Sequence, residues 1–238
     1  NLLDGGLRQE ALQELHRALQ ADRYASTFQK ALVHYNLGQM YSGDGQNKRA
    51  LFYYEQALAI YPSYGAAMAG IATVMLKEGN NEAASAYLKN ALQIKRHHAG
   101  LNELAGISCL RSGLFREAEK AARTALSLSP ESPRSLVVLA ECARQAGKPD
   151  EAIRCWTAFR EKCPSDVNAT MALIELSVDV GREQLLRQEM SRLLKQTGQE
   201  ELGMFLRKST QPTQELQIYV PSPDKILAIM EKFCKKEP

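Results

Sequence analysis

Side chains able to do acid–base, nucleophilic or metal chemistry are few and scattered. The four histidines are His16, His34, His97 and His98. None belongs to an HExxH pair, which would place two zinc ligands on one helix face, and no GxSxG nucleophile motif occurs. The Gly-Asp-Gly stretch at 43–45 lacks the GKS or GKT ending of a phosphate-binding loop. We therefore predict no catalytic, cofactor-binding or metal site and expect that the protein is not an enzyme.

The thiols indicate a reducing environment. The five cysteines are Cys109, Cys142, Cys155, Cys163 and Cys234. An odd number cannot all pair, no CxxC motif occurs, and most lie where a helix would accept a small apolar residue. We expect reduced structural thiols and a cytoplasmic location, unless a targeting sequence lies outside this chain.

Composition gives little support for a nucleic acid or a membrane as the binding partner. The 238 residues are 45% hydrophobic and 24% charged, with a net charge of +3. Basic and acidic residues alternate, and the one dense basic cluster, 95–98, is short, so no strong nucleic-acid signal is present. The longest apolar runs are far below the ~20 residues that a membrane-spanning helix needs, so we expect no membrane segment.

Small residues recur at a fixed interval along the chain. They mark the structural elements that must position any binding surface. Glycines 34 residues apart are Gly45, Gly79, Gly113, Gly147 and Gly181. Alanine follows five residues later at Ala50, Ala84, Ala118 and Ala152. Prolines on the same grid are Pro62, Pro130 and Pro164. A period of this length is typical of stacked helical repeats.

Each period predicts two helices joined by a glycine turn. Glycine tolerates positive φ, alanine lets two helix backbones approach closely, and proline cannot continue a helix. Apolar residues at three- and four-residue spacing, such as Leu37 with Tyr41, support the first helix of each pair. No stretch alternates with period two for long enough to predict a sheet, so the fold class is all-α.

The pattern resembles the tetratricopeptide repeat. The first unit carries the signature positions Leu37, Gly38, Tyr41, Ala50, Tyr54, Ala57 and Pro62. The resemblance implies a right-handed alpha-alpha superhelix of about five helix-turn-helix repeats with C-terminal capping helices. The repeats are predicted at 31–64, 65–98, 99–132, 133–166 and, in degenerate form, 167–200.

The ends and the last two repeats depart from the pattern. Residues 1–30 resemble the second helix of a partial repeat followed by a linker, and 201–238 are predicted to cap the array with a helix at 224–235. That segment could instead fold into the groove and block it. In the fourth repeat, bulky Trp156 and Phe159 predict an opening or bend. In the fifth, Ile174, Leu186 and Leu193 predict wider helix spacing.

The resemblance implies that first helices line a concave groove. Its predicted peptide-binding residues are Tyr35, Gln39, Ala69, Thr73, Leu76, Lys77, Glu103, Ile107, Leu110, Arg111, Arg134, Val137, Glu141, Arg144, Met171 and Glu175. The middle of this set is apolar and its flanks carry mixed charge. The alternative at each apolar position is contact with a neighbouring helix. The basic clamp that binds C-terminal carboxylates in some family members is absent, because Tyr35, Gln39 and Gly70 stand at its positions.

We therefore predict a protein–protein interaction scaffold that binds a peptide or amphipathic helix of a partner and assembles a complex. The main alternative is a regulatory or substrate-docking domain of a larger enzyme or membrane-anchored protein. RNA binding is a weaker alternative, because RNA-reading helical repeats have a 35-residue period, whereas the period of this chain is 34 residues. Self-association through the terminal repeats stays open.

Overall fold

The computed structural model describes residues 2–21, 26–197, 218 and 222–234. Within these residues the chain forms twelve α-helices and no strand. The helices are α1 (Leu2–Ala21), α2 (Thr27–Gly43), α3 (Asn47–Ile60), α4 (Gly65–Lys77), α5 (Asn81–Ile94), α6 (Ala99–Arg111), α7 (Phe115–Leu128), α8 (Pro133–Gln145), α9 (Pro149–Lys162), α10 (Val167–Asp179), α11 (Glu183–Thr197) and α12 (Pro223–Cys234). The all-α helical-repeat fold is thus confirmed.

The periodic glycines form the turn inside each helix pair. Their φ angles lie between 66° and 78°, in the left-handed region that favours glycine. At Gly147 the turn ends α8, with its own N–H donating to the Arg144 carbonyl at 3.1 Å and Lys148 N–H donating to the Ala143 carbonyl at 2.9 Å. These bonds satisfy carbonyls that the end of a helix would otherwise leave unpaired.

Replacing Gly147 with alanine should lower the free energy of unfolding by about 1–2 kcal/mol, the cost of a left-handed conformation for a residue with a Cβ. No atom lies within 4 Å of a Cβ built at this position, so backbone strain is the whole cause. Urea unfolding would measure the loss. Asparagine, which tolerates this conformation, should cost less; equal stability of the alanine variant and the parent would contradict the argument.

Polar side chains cap the N-termini of several described helices. Ser132 accepts a hydrogen bond from Ser135 N–H at 3.3 Å ahead of α8, where Pro133 takes the first helical position. Asp166 accepts from Asn168 N–H at 2.8 Å before α10. Ser222 accepts from Lys225 N–H at 3.3 Å, so α12 begins at Pro223. Sequence rules for helix starts therefore locate these elements well.

The chain divides into two compact units, residues 1–108 and 109–238, with the division inside α6. In unit 1, a buried cluster joins α2, α3 and α4 through Leu37, Tyr41, Tyr54 and Ile71. Helix α1 packs on this cluster with its leucines. Residue Gly6 lies within α1 and forms no turn, because the helix runs on from Leu2.

In unit 2, the bulky residues of α9 are matched by small neighbours. Trp156 is 1% exposed and meets Phe159 edge to face, with 5.6 Å between ring centroids. The same buried cluster contains Ala140 and Ala143 of α8 together with the alanines of α10 at 169 and 172. The large rings therefore fill the volume that these alanines leave.

The last described helix packs on the end of unit 2. Ile226 and Met230 of α12 share a buried cluster with Met171 and Ile174 of α10. Met190 and Leu193 of α11 complete it. Ile174 and Leu193 of the fifth repeat are thus buried beside an amphipathic helix, and Leu186 packs partly buried against the same cluster. The parts of the predicted fifth repeat and cap that fall on residues 198–217 and 219–221 lie outside the described residues.

Candidate partner-binding surface

Unit 1 presents a cluster of partly exposed aromatic rings, which we call the aromatic surface and define as Phe28, Tyr35, Tyr61 and Tyr64. Tyr64 lies between Tyr35 and Phe28, with ring centroids 5.1 and 5.4 Å away. Phe28 also meets Tyr61 at 5.6 Å. Phe28 and Tyr61 remain 45% and 37% exposed. The first half of α2, through Tyr35 at its middle, and the loop between α3 and α4 therefore place four rings together.

A buried tyrosine supports this surface from below. Tyr54 of α3 is 3% exposed, and its ring stacks at a tilt near Tyr35, 5.9 Å between centroids. A Cβ built on Gly38 or on Gly70 would lie 2.6 Å from the Tyr54 ring. The ring therefore fits between α2 and α4 only because both positions lack a side chain. Burial and the nearby Tyr35 raise the pKa of Tyr54 to about 12, against the effect of a hydrogen bond with Ser42.

Alkaline unfolding should report on this packing. Tyrosine in an unfolded chain ionises near pH ~10, whereas Tyr54 has a folded-state pKa of about 12. Stability is therefore intact below that unfolded value and falls as pH rises toward the folded one, by about 1.4 kcal/mol per pH unit for one such group. Tyr54→Phe should flatten the decline by roughly one proton. It should not abolish the decline, because burial also raises the pKa of Tyr87 to about 12 and that of Cys142 to about 11.

Urea unfolding across alkaline pH measures the slope. Phe52→Leu, at an exposed ring that does not titrate, is the control and should leave the slope unchanged. A Tyr54→Phe variant with the parent's slope would contradict the packing described above.

The predicted groove residues of unit 1 separate into two groups. Gln39 and Lys77 are exposed, and Tyr35, Ala69, Thr73 and Glu103 are half-buried. Gln39 donates a side-chain hydrogen bond to the Tyr35 hydroxyl. Leu76 and Ile107 are instead buried, which favours the alternative stated for apolar positions, contact with neighbouring helices. Their side chains belong to the core and have no surface to offer a ligand.

Unit 2 shows the same division. Arg134 and Arg144 are exposed, and Leu110, Arg111 and Glu175 are half-buried. Val137, Glu141 and Met171 are buried. Val137 packs with Trp156 and Met171 lies in the cluster with α12, so both make the helix contacts of that alternative. Glu141 accepts two hydrogen bonds from the Arg144 guanidinium, at 2.7 and 2.9 Å.

Glu175 of α10 stands at the repeat position that Glu141 occupies in α8, and α12 brings a lysine to it. Lys225 Nζ lies 3.7 Å from a carboxylate oxygen of Glu175 and 4.0 Å from one of Asp179. Together with the apolar contacts of Ile226 and Met230, this ion pair fixes α12 against α10. A predicted groove residue is therefore engaged by the chain's own C-terminal helix.

His98 has a structural role. Its Nδ1 accepts a hydrogen bond from Leu101 N–H at 3.3 Å at the start of α6, and its ring covers Gly65. Burial, with the nearby Lys95, lowers the pKa of His98, which favours the neutral ring that this bond requires. In the described part of the chain, no three His, Cys, Asp or Glu side chains are grouped to hold a metal ion. None of the described helices has the length and apolar character needed to span a membrane.

Sequence reasoning missed three members of the aromatic surface, namely Phe28, Tyr61 and Tyr64. The missed signal is the Tyr-Pro-Ser-Tyr stretch at 61–64, which carries two rings in an inter-repeat loop. Solvated loops rarely hold paired aromatic residues without a contact for them. The groove prediction considered only first-helix positions and therefore passed over the loop.

Comparison with known proteins identifies the repeat. Two family profiles, each described as Tetratricopeptide repeat, match residues 42–108 and 104–156 respectively. No curated protein sequence matches the chain.

Solved structures share the fold at low sequence identity. The crystal structure of PilW, described as a widely conserved type IV pilus biogenesis factor, has a TM-score of 0.71 at 20% identity and covers 86% of this chain and 93% of that one. PilF of Pseudomonas aeruginosa has a TM-score of 0.67 at 19% identity, covering 88% and 90%. YrrB, described as a TPR protein with an unusual peptide-binding site, has a TM-score of 0.58 at 18% identity, covering 78% and 100%. The profile matches, together with the glycine turns of the described helices, identify tetratricopeptide repeats within residues 42–156 of this chain, and the solved structures share its all-α helical-repeat fold.

Proposed function

We propose that this protein is an interaction scaffold that binds a peptide or amphipathic helix of a partner protein and helps to assemble a complex. The observation that carries the proposal is the aromatic surface of unit 1, beside the exposed Gln39 that donates a hydrogen bond to Tyr35. A helical-repeat domain offers extended surfaces for such segments.

Partly exposed rings favour a protein partner for a physical reason. Tyrosine and phenylalanine bury large apolar areas at a low cost in side-chain entropy, and tyrosine is enriched among the residues that dominate binding energy. Tyr35 and Tyr64 are already held by ring contacts and, at Tyr35, by the Gln39 hydrogen bond. A partner would therefore meet rings that lose little freedom on binding.

The packing of α12 supports the same chemistry. It shows an amphipathic helix bound to a repeat by two apolar anchors four residues apart, Ile226 and Met230, and by the Lys225 ion pair. The likeness to YrrB, described as having a peptide-binding site, supports a peptide as the guest.

Binding measurements can test the proposal directly. Peptides selected by display on the parent chain would be compared with the Tyr35→Ala plus Tyr64→Ala double variant by fluorescence anisotropy. Loss of two interface anchors should weaken binding by about 30-fold or more. The matched control is Phe52→Ala plus Ile94→Ala, which removes exposed apolar side chains from second helices. Helical content by circular dichroism should stay the same in both variants. Equal affinity of the parent and the tyrosine variant would contradict the proposal.

A further inference from the structure

An open pocket of about 690 Å³ lies between α9 and α11 in unit 2. Its basic side chains are Arg160, Arg187, Arg192 and Lys195. One carboxylate, that of Glu189, is among its lining residues. We call this site the basic pocket. The basic pocket lies on the second helices of the fourth and fifth repeats. Its lining is mostly charged and polar, unlike that of the aromatic surface.

The acidic partners of the basic pocket are already engaged. Arg160 donates a hydrogen bond to Glu189, and Arg187 donates to Glu183 at 3.1 Å. Among the described residues, none forms an ion pair with Arg192 or Lys195, and both side chains are exposed. The pocket therefore keeps an excess of positive charge that attracts a negatively charged guest.

Glu189 gives a second, independent indication of the ligand chemistry that the basic pocket favours. It is 2% exposed, and its Oε2 has no hydrogen-bond partner within the described residues. A buried carboxylate oxygen without a donor is costly, so a guest that brings an N–H or hydroxyl donor gains from it. The lining of the pocket thus combines the exposed cations Arg192 and Lys195 with a buried acceptor.

An acidic peptide matches both requirements. Its Asp or Glu side chains can pair with Arg192 and Lys195, and its backbone N–H groups can donate to Glu189. The phosphate groups of a nucleic acid carry acceptors only, so they would leave the Glu189 oxygen unsatisfied.

We propose that the basic pocket is a second docking site, which binds an acidic peptide segment of a partner protein. The site extends the proposed function, because one chain would then hold two segments through two unlike surfaces. Two linked contacts raise the overall affinity for a partner, or for a pair of partners, beyond that of either surface.

The test uses the full chain and a short fluorescein-labelled peptide of alternating Glu and Ser, followed by fluorescence anisotropy at low salt. Arg192→Glu plus Lys195→Glu should weaken binding at least about tenfold, and added salt should weaken binding to the parent. The matched control, Lys89→Glu plus Lys120→Glu, makes the same charge change on exposed positions of α5 and α7 and should alter the affinity less than about twofold.

Three outcomes would overturn the site. The first is no measurable binding of the acidic peptide to the parent. The second is an equal loss in the Lys89 and Lys120 control, which would show attraction to net charge alone. The third is tighter binding of single-stranded oligouridylate than of the peptide with the same dependence on Arg192 and Lys195, which would assign the pocket to nucleic acid. The Tyr35→Ala plus Tyr64→Ala variant should keep its affinity for the acidic peptide, so failure of one surface is distinguishable from failure of the other.

Discussion

Replacement of Trp156 with alanine is expected to lower the free energy of unfolding by about 3–5 kcal/mol. The Trp156 side chain is almost fully buried and shares its cluster with alanines on α8 and α10. Alanines cannot move into the vacated volume, because a helix would have to shift as a unit. The cavity should therefore persist, and its cost adds to the lost burial of the ring.

Urea unfolding monitored by circular dichroism would measure this loss, with the midpoint and slope fitted together. Trp156→Phe should recover part of the stability. Leu114→Ala, at an exposed leucine, is the control and should change stability by less than about 0.5 kcal/mol. A Trp156→Ala variant within about 1 kcal/mol of the parent would show that the cluster is looser than the structure indicates.

The second large effect concerns the ion pair between α9 and α11. Arg160→Met should lower the free energy of unfolding by about 3–5 kcal/mol, because it leaves the carboxylate of Glu189 buried without its partner. The side chains of Arg160 and Glu189 are only 16% and 3% exposed, so solvent screens the pair weakly. The methionine keeps much of the arginine's volume, which isolates the loss of charge from the loss of packing.

A double-mutant cycle separates the pair from its surroundings. Arg160→Met combined with Glu189→Met should regain most of the lost stability, because neither charge then remains buried. Equal stability losses that simply add in the double variant would contradict a direct interaction. Surface pairs such as Lys162 with Glu131 should give coupling energies below about 1 kcal/mol in the same assay.

The local fold could be predicted from sequence because certain residue types allow only a narrow range of backbone conformations at their positions. The φ of 66–78° at each turn favours glycine, and only a residue without a side chain fits where Tyr54 meets Gly38 and Gly70. Ser132-Pro133 and Ser222-Pro223 similarly specify helix starts. Each of these features depends on neighbours close in sequence or on a repeated spacing.

The candidate surfaces were harder to predict because exposure depends on contacts between distant residues. Leu76 and Ile107 occupy first-helix positions that the family resemblance assigns to the groove, yet they are buried. The position number of a residue within a repeat does not report how closely its neighbours approach. The basic pocket needed the pairing of Arg160 with Glu189, which are 29 residues apart and follow no sequence signature.

Site-specific photo-cross-linking tests the central claim, that the first-helix face of unit 1 receives a partner segment. A photoreactive phenylalanine analogue would be placed at Gln39, beside the aromatic surface, and at Lys89, an exposed position on the second helix α5. Labelled peptides selected on the parent chain would then be irradiated with each protein. We predict cross-links from position 39 that vanish when unlabelled peptide competes, with little product from position 89. Equal yields at the two positions, or a yield at position 39 that competitor leaves unchanged, would contradict the account.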